Sequence, residues 1–361
     1  MSKLLISTIL GFILCTNIAH SAQPVISNYI LQTQSEKTIQ EVAQKFEVSR
    51  AHRNAFEVIV PQHRAAEFLR MAPQAKLLNA DISATVRQIF YNSKMSPLRA
   101  QGYRSFNEIV ALLNSTSLKY PAISKLVQYG TSQQGKPLLA LRVSNHLNDG
   151  AKVPRVMLTA ATHGDEIITT EVLLNLMGEI ITSSETNPRY KKFLDNLEIV
   201  FIPVLNPDGF AEQNRYDNGS DPNRSYPFPE NVTGDPTASI NGIINFVKTY
   251  PITGSIDFHA FGRLIMYPWG YTKNYLPPEI RNVFHTITSK MAATNRYKNG
   301  DISHVIYVAK GSSADFYYWK LNALSLGIEV GDSKAPNPAK IEQYTMEQAE
   351  STWIFLDSFI K

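Results

Sequence analysis

The chain has 361 residues, of which 43% are hydrophobic and 18% are charged. These values are typical of a folded globular protein and exclude a disordered or fibrous chain. The net charge is +4, and the Lys and Arg residues are scattered along the sequence. Nucleic acid is therefore excluded as the main partner, because phosphate binding needs a concentrated basic surface.

The first 22 residues have the pattern of a secretory signal peptide. Lys3 precedes a short apolar stretch, and small residues follow at positions 19–22. We expect cleavage after Ser21 or Ala22 and export to the periplasm or the medium. An uncleaved anchor helix is the alternative, but the stretch is short for a membrane span of about 20 residues. No stable membrane insertion is therefore expected once the signal is removed.

Residues 23–90 are predicted to form a small separate unit. Along this segment, apolar residues recur by turns at strand spacing and at helical spacing. Strands are predicted over 28–32, 54–60 and 76–82, and helices over 36–46 and 63–71. Helices interleaved with strands in so short a segment favour a small α/β sandwich.

Residues 91–102 (YNSKMSPLRAQG) are polar, contain a proline and a glycine, and are predicted to be a linker. Lys94, Arg99 and, just beyond the linker, Arg104 would suit a trypsin-like protease. A solvated linker whose basic residues have no role is the alternative.

From residue 103 onward the pattern alternates between helices and strands. Helices are predicted over 106–113, 123–127, 166–181, 240–247 and 338–360, and strands over 138–143, 156–161, 197–204, 254–259 and 325–330. This alternation predicts a mostly parallel mixed sheet flanked by helices. In such sheets, sites form beyond the carboxyl ends of the strands.

Two histidines and a glutamate fall at predicted strand ends. His163 and Glu166 follow the strand at 156–161, and His259 closes the strand at 254–259. Two imidazoles and one carboxylate, with a fourth position open, are the ligands of a hydrolytic zinc site. A His and a Glu at this spacing are, taken alone, more often two surface residues.

Glu329 lies in the apolar run LSLGIEVG on a predicted buried strand. A carboxylate in such a setting is costly unless it has a partner or a chemical role. A general base that takes a proton from water is one role. A structural pair with an arginine is the alternative.

Together these residues resemble the zinc carboxypeptidases of the funnelin type, which include the pancreatic carboxypeptidases A and B. The resemblance extends from Tyr103 to the C-terminus. Tyr307 precedes Glu329 by 22 positions, as in the pancreatic enzymes. The motifs, in the family's order, are HGDE at 163–166, LNPDGF at 205–210, DPNRSYP at 221–227, DFHAFGRLIMYPWGY at 257–271 and IYVAKGSSADFYYW at 306–319.

The resemblance implies a catalytic domain over 103–361 that binds one Zn²⁺ and acts on the C-termini of peptides or proteins. His163, Glu166 and His259 would bind the zinc, and Glu329 would be the general base. Asp221 would accept a hydrogen bond from a ligand imidazole and fix its orientation.

The resemblance also implies a binding site for the substrate. Arg215 would stabilise the oxyanion of the tetrahedral intermediate. Arg224 would form a bidentate pair with the terminal carboxylate, which Asn223 and Tyr307 would also bind. The loop before Asp221, which carries Arg215, is shorter than in the pancreatic enzymes.

The side-chain pocket is expected to have Ala314 at its floor. An uncharged residue there slightly favours an apolar C-terminal side chain. A basic preference stays open, because four further residues are candidates for the pocket lining: Asp257, Gly270, Ile302 and Ser312.

Several alternatives remain at this point. Residues 23–90 resemble the family's activation propeptide, which would assist folding or block the site. HGDE is closer to bacterial members, some of which cut peptidoglycan stem peptides. A zinc deacylase shares the metal ligands, although the segment from Tyr307 to Glu329 argues against it. An inactive peptide-binding relative is disfavoured because the metal ligands and the base are all present.

Overall fold

The computed structural model describes residues 25–52, 55–81, 102–147 and 152–360. The expected signal peptide and nearly all of the expected linker, with Lys94 and Arg99, lie outside these residues. Within the described ranges, no helix combines the length and the apolar character that crossing a membrane requires.

An antiparallel four-stranded sheet and two helices form the N-terminal unit. The strand order is β2-β3-β1-β4. Apolar residues of the central strand, such as Val58 and Val60, are fully buried, as is Phe68 on the second helix. The pattern predicted both helices and three of the strands but missed β2. The elements are β1 (Ile26–Gln32), α1 (Glu36–Ala43), β2 (Glu47–His52), β3 (Ala55–Pro61), α2 (Ala65–Met71) and β4 (Lys76–Asn79).

The second unit contains an eight-stranded mixed sheet flanked by helices, which confirms the expected fold class. The strand order is β11-β10-β12-β9-β7-β8-β6-β5. The strands are β5 (Ser124–Thr131), β6 (Pro137–Val143), β7 (Arg155–Ala160), β8 (Glu198–Ile202), β9 (Gly254–His259), β10 (Leu264–Tyr267), β11 (Lys298–Asp301) and β12 (Leu324–Glu329). The helices are α3 (Phe106–Lys119), α4 (Ile167–Ser183), α5 (Pro188–Asn196), α6 (Pro207–Glu212), α7 (Ala238–Thr249), α8 (Pro278–Asn295), α9 (Ile302–Val305), α10 (Ser313–Leu321) and α11 (Ile341–Asp357).

The expected helix at 123–127 is wrong, because these residues begin β5. β5 is an edge strand that pairs antiparallel with β6, and its register shifts between Gln128 and Gly130. Leu126 and Val127 are both half-buried, so neither face of the strand is clearly apolar. Because apolar and polar residues do not alternate cleanly here, the four-residue spacing of Ile123 and Val127 resembled one turn of a helix.

The parallel centre of the sheet determines where the site lies. Strands β8, β7, β9 and β12 run parallel to their neighbours in that order. Their carboxyl ends therefore share one edge. At this edge His259 and Glu329 end adjacent strands and pair in register, and Glu166 is the N-cap residue of α4.

Candidate active site

The turn between β7 and α4 carries the first pair of expected ligands. Gly164 lies between His163 and Glu166, and a Cβ atom there would come within 2.0 Å of the backbone carbon of Gly209. Only glycine allows the turn to approach the LNPDGF segment so closely. The close approach fixes His163 and Glu166, both buried, at the sheet edge.

The side chains of His163, Glu166 and His259 converge. One ligand atom from each lies within 4.8 Å of the other two. Nδ1 of His163 lies 2.8 Å from Oε1 of Glu166, and Nδ1 of His259 lies 3.1 Å from Oε2 of Glu166. Two imidazole nitrogens and one carboxylate directed at a common point are a donor set that zinc selects. The residues therefore fit a single zinc ion.

The Nε2 atom of each imidazole contacts an aspartate. Nε2 of His163 lies 3.2 Å from Oδ1 of Asp221, as expected from the sequence. Nε2 of His259 lies 3.0 Å from Oδ2 of Asp257. Such contacts fix each ring so that its Nδ1 faces the carboxylate of Glu166, where the ion would bind. Burial raises the pKa of Asp221, but the neighbouring charge of Arg215 outweighs it and holds that pKa well below the usual range.

The contacts of Asp257 with its neighbours were missed by the sequence reasoning, which considered this residue only as pocket lining. Its buried carboxylate accepts hydrogen bonds from the hydroxyl groups of Thr159, Thr162 and Ser313. A signal was available in the sequence. Asp257 lies two residues before His259 on one strand, and such residues face the same side of a sheet.

Arg215 lies beside the metal ligands. Its guanidinium donates two hydrogen bonds to Oδ2 of Asp221, at 3.1 and 2.8 Å. Nη1 lies 3.2 Å from Nδ1 of His163 and 3.7 Å from Oε1 of Glu166. The guanidinium is thus close to the point on which the metal ligands converge.

The expected carboxylate-binding residues also come together. Asp221 caps the short 3₁₀ turn Pro222–Arg224 by accepting a hydrogen bond from the Asn223 amide at 2.9 Å. Nη2 of Arg224 donates to the Tyr307 hydroxyl at 2.8 Å. Asn223 accepts a hydrogen bond from the Ser313 amide through Oδ1 at 2.9 Å.

One cleft of about 330 Å³ unites these groups. The metal ligands, Arg215, Asn223, Arg224, Tyr307 and Glu329 all line it. Ala314, Ile302 and Ser312 line it too. Gly270 packs behind Ile302, since a Cβ atom there would lie 3.1 Å from Cγ2 of Ile302. Two residues of the N-terminal unit, Val48 and Glu57, also line the cleft.

Lys334 is a second residue of the site that the sequence reasoning missed. Its ammonium donates to Oδ2 of Asp165, the residue beside Glu166, at 2.9 Å. Lys334 lies on the segment after β12, in no recognisable motif. No local pattern in the sequence reveals this ion pair.

Comparisons with known proteins agree with this geometry. The model of the zinc carboxypeptidase family matches residues 109–351. A zinc carboxypeptidase from Saccharothrix mutabilis subsp. capreolus is 28% identical over 257 residues, which cover 60% of this chain and 59% of that protein. Carboxypeptidase A2 of Rattus norvegicus is 24% identical over 298 residues, which cover 72% of this chain and 70% of that protein.

The fold is also that of a solved relative. Carboxypeptidase A from Helicoverpa armigera superposes with a TM-score of 0.78 at 20% identity, covering 94% of this chain and 98% of the other. The family model extends over more than half of the chain. The chain therefore belongs to the zinc carboxypeptidase family, and zinc is the metal that its His-Glu-His cluster binds.

Proposed function

We propose that this protein removes the C-terminal residue from peptides and proteins by zinc-dependent hydrolysis. One observation carries the proposal. The pair formed by Arg224 and Tyr307 lines the same cleft as the metal ligands and Glu329. A carboxylate bound at Arg224 leaves only the last peptide bond within reach of the metal centre. An internal peptide bond has no such carboxylate beside it.

The arginine is suited to this recognition. A guanidinium presents two parallel N–H groups to a carboxylate, which gives both strength and orientation. Nη1 of Arg224 already donates to the carbonyl oxygen of Asn223 at 2.8 Å, and this hydrogen bond restrains the orientation of the guanidinium. The Tyr307 hydroxyl, 2.8 Å from Nη2, would donate to the same carboxylate.

Two groups of the chain, together with the zinc, would act on the scissile bond. Glu329 would take a proton from the attacking water and pass it to the leaving amine. Arg215 would hydrogen-bond to the oxygen that becomes negative in the transition state. Zinc bound by His163, Glu166 and His259 supplies Lewis acidity, which makes water more acidic and the carbonyl more electrophilic.

The N-terminal unit is proposed to limit access to this cleft. Val48 and Glu57 line it, and apolar side chains of this unit share one buried cluster with Met266 and Tyr307. Lys273 and Glu36 add a weak ion pair between the units, with 4.0 Å between Nζ and Oε1. Export, as the first 22 residues predict, would separate the uncleaved chain from cytoplasmic peptides.

A mixed peptide library tests the proposal. The intact protein and a trypsin-treated sample, with the trypsin quenched, are each incubated with the library, with and without a zinc chelator. Mass spectrometry should show peptides shortened stepwise from the C-terminus only when the chelator is absent. Products cut internally, or hydrolysis of N-acyl amino acids alone, would contradict it. Peptidoglycan stem peptides in a parallel sample measure the other substrate class.

A further inference from the structure

The helix that follows the zinc ligands carries a buried carboxylate with no part in the proposed reaction. Residues 163–166, the zinc turn, lead directly into α4, and Glu166 is the N-cap residue of this helix. Glu171 lies farther along α4, is 2% exposed and does not belong to the described lining of the cleft. Burial raises the pKa of Glu171, and the charge of Arg104 offsets this effect only in part. A carboxylate that is costly to bury needs a reason to be there.

Arg104 is the partner of this carboxylate. Its backbone amide donates to Oε1 of Glu171 at 2.6 Å, and its guanidinium donates to Oε2. The main chain at Arg104, and not only its side chain, is therefore bound to α4. Arg104 directly precedes α3, where Ser105 and Glu108 form a reciprocal capping box that fixes the backbone at the start of that helix.

Tyr103 extends these contacts to the segment after β12. Its buried hydroxyl donates to the carbonyl oxygen of Pro336 at 2.8 Å. The same segment is bound to the first turn of α4, since the Ile168 amide donates to the carbonyl oxygen of Lys334 at 3.2 Å. The ammonium of Lys334 in turn donates to Asp165, within the zinc turn. These hydrogen bonds connect Tyr103 to the turn that holds two metal ligands.

The pair of Arg104 and Glu171 is better suited to fixing a position than to adding stability. Taking two charges out of water costs about as much as their attraction returns, so apolar side chains often replace such pairs without loss. A guanidinium and an amide that bind the two oxygens of one carboxylate do restrain where it lies. A helix moves as a rigid element, so a shift of α4 at Glu171 would also move Glu166.

We propose that Arg104 is a positioning residue for the zinc site. By holding Glu171 it fixes α4, and α4 fixes Glu166 relative to the two histidine ligands. A cut after Arg104 would therefore weaken zinc binding, whereas a cut within the linker would leave it intact. This inference goes beyond the proposed function, because zinc binding is measured without a substrate and stands or falls independently of hydrolysis.

The test measures the zinc affinity of the full chain. Arg104→Met removes the guanidinium and keeps an unbranched side chain in its place. Its zinc dissociation constant, measured by competition with a fluorescent chelator, should be about 3- to 30-fold higher than that of the wild type. Arg104→Lys keeps the charge, and its dissociation constant should lie between the other two. An unchanged dissociation constant in Arg104→Met would overturn the inference.

Arg189→Met is the matched control. The side chain of Arg189 is exposed to nearly the same extent as that of Arg104, 31% against 36%, and it forms ion pairs with Glu350 and Asp357. Both of these partners lie on α11, so the pairs join α5 to α11 and not to the zinc turn. This variant should keep the wild-type dissociation constant. An equal rise in both variants would overturn the inference, because the loss of any ion pair would then have the same effect.

Thermal unfolding separates positioning from a general loss of stability. Zinc raises the melting temperature by an amount that depends on its dissociation constant. The difference between the melting temperatures with zinc and with excess chelator should shrink in Arg104→Met. Equal falls of both temperatures, with the difference unchanged, would show a merely structural role and overturn the inference.

A second variant covers the case in which Arg104→Met does not fold. The double variant Arg104→Met/Glu171→Leu leaves no unpaired carboxylate in the interior, so its fold should be retained. The hydrogen bonds between residue 104 and the carboxylate are absent from it, and the zinc-dependent difference in melting temperature should shrink as well. A wild-type difference in the folded double variant would overturn the inference.

Discussion

The ammonium group of Lys334 lies 2.9 Å from Oδ2 of Asp165, in a largely buried position next to the metal ligands. The same ammonium lies 3.8 Å from Oε1 of Glu166. Lys334 therefore ties the turn that carries two zinc ligands to the segment after β12. It also offsets the charge of two adjacent buried carboxylates, which would otherwise repel each other.

Replacing Lys334 should weaken zinc binding. Without its ammonium, the turn that holds Glu166 loses an anchor, and groups that support metal ligands typically affect affinity about 10- to 100-fold. We expect Lys334→Met to raise the zinc dissociation constant by about tenfold, measured by competition with a fluorescent chelator. Lys191→Met removes an exposed Lys–Asp pair and is the control. Equal dissociation constants for both variants would disprove the role of Lys334.

Replacing Glu329 should abolish turnover without loss of the metal. Glutamine keeps the shape of the side chain but cannot accept the proton, and general-base catalysis contributes about 100- to 10,000-fold. We expect kcat of Glu329→Gln to fall by that factor while the zinc content stays at one ion per chain. Glu342→Gln, an exposed change on α11, should leave kcat unchanged. Substantial activity in Glu329→Gln would exclude this residue as the base.

The expected metal ligands and Glu329 lie at strand ends or just after them in the sequence. His163, His259 and Glu329 could be placed because parallel strands end at one edge. The position of Lys334 could not be predicted. Its partner Asp165 lies 169 positions earlier in the chain, and only tertiary packing brings the two together. The strand β2 was also missed, because it is a short strand at the edge of its sheet.

Replacing Arg224 should remove the preference for a free C-terminus. A lysine keeps the charge but loses the planar fork and its bond to the Tyr307 hydroxyl. We expect Arg224→Lys to lower kcat/KM by about 100-fold on a peptide acid, through the loss of charge-assisted hydrogen bonds. The measurement compares a peptide acid with its amide, and the ratio of the two should shrink. Arg296→Lys, at an exposed helix end, should preserve the ratio.

Removal of the N-terminal unit should raise activity. Arg104, one of the expected cut sites, forms an ion pair with the buried carboxylate of Glu171, and its amide donates to the same group at 2.6 Å. We therefore expect cutting at Lys94 or Arg99 instead. Trypsin should raise kcat/KM by about tenfold or more, since only the open form binds substrate.

A variant carrying both Lys94→Gln and Arg99→Gln should resist this activation. Mass spectrometry of the digest identifies the cut sites. An intact chain as active as the trimmed one would show that the N-terminal unit does not inhibit.

Glu198 should make the stability of the fold depend on pH. Its carboxylate receives two forks of hydrogen bonds, from Arg142 at 2.7 and 2.9 Å and from Arg155 at 2.7 and 2.8 Å. Burial raises the pKa of Glu198, but these bonds outweigh it and lower the pKa from 4.5 to about 2. Because the folded-state pKa is the lower one, the stabilisation is present above pH 4.5 and is lost as the pH falls toward 2.

Glu198→Gln should therefore lower the free energy of unfolding by about 2 kcal/mol at pH 7, allowing for partial screening by solvent. Urea unfolding of both proteins, with excess chelator so that zinc loss does not contribute, measures the difference. The gap should narrow steadily between pH 4.5 and pH 2, because the wild-type carboxylate becomes protonated and resembles the amide. Glu185→Gln, an exposed change, should have the wild-type free energy of unfolding at both ends of this pH range. A gap for Glu198→Gln that is constant with pH would mean that packing, rather than charge, accounts for the loss.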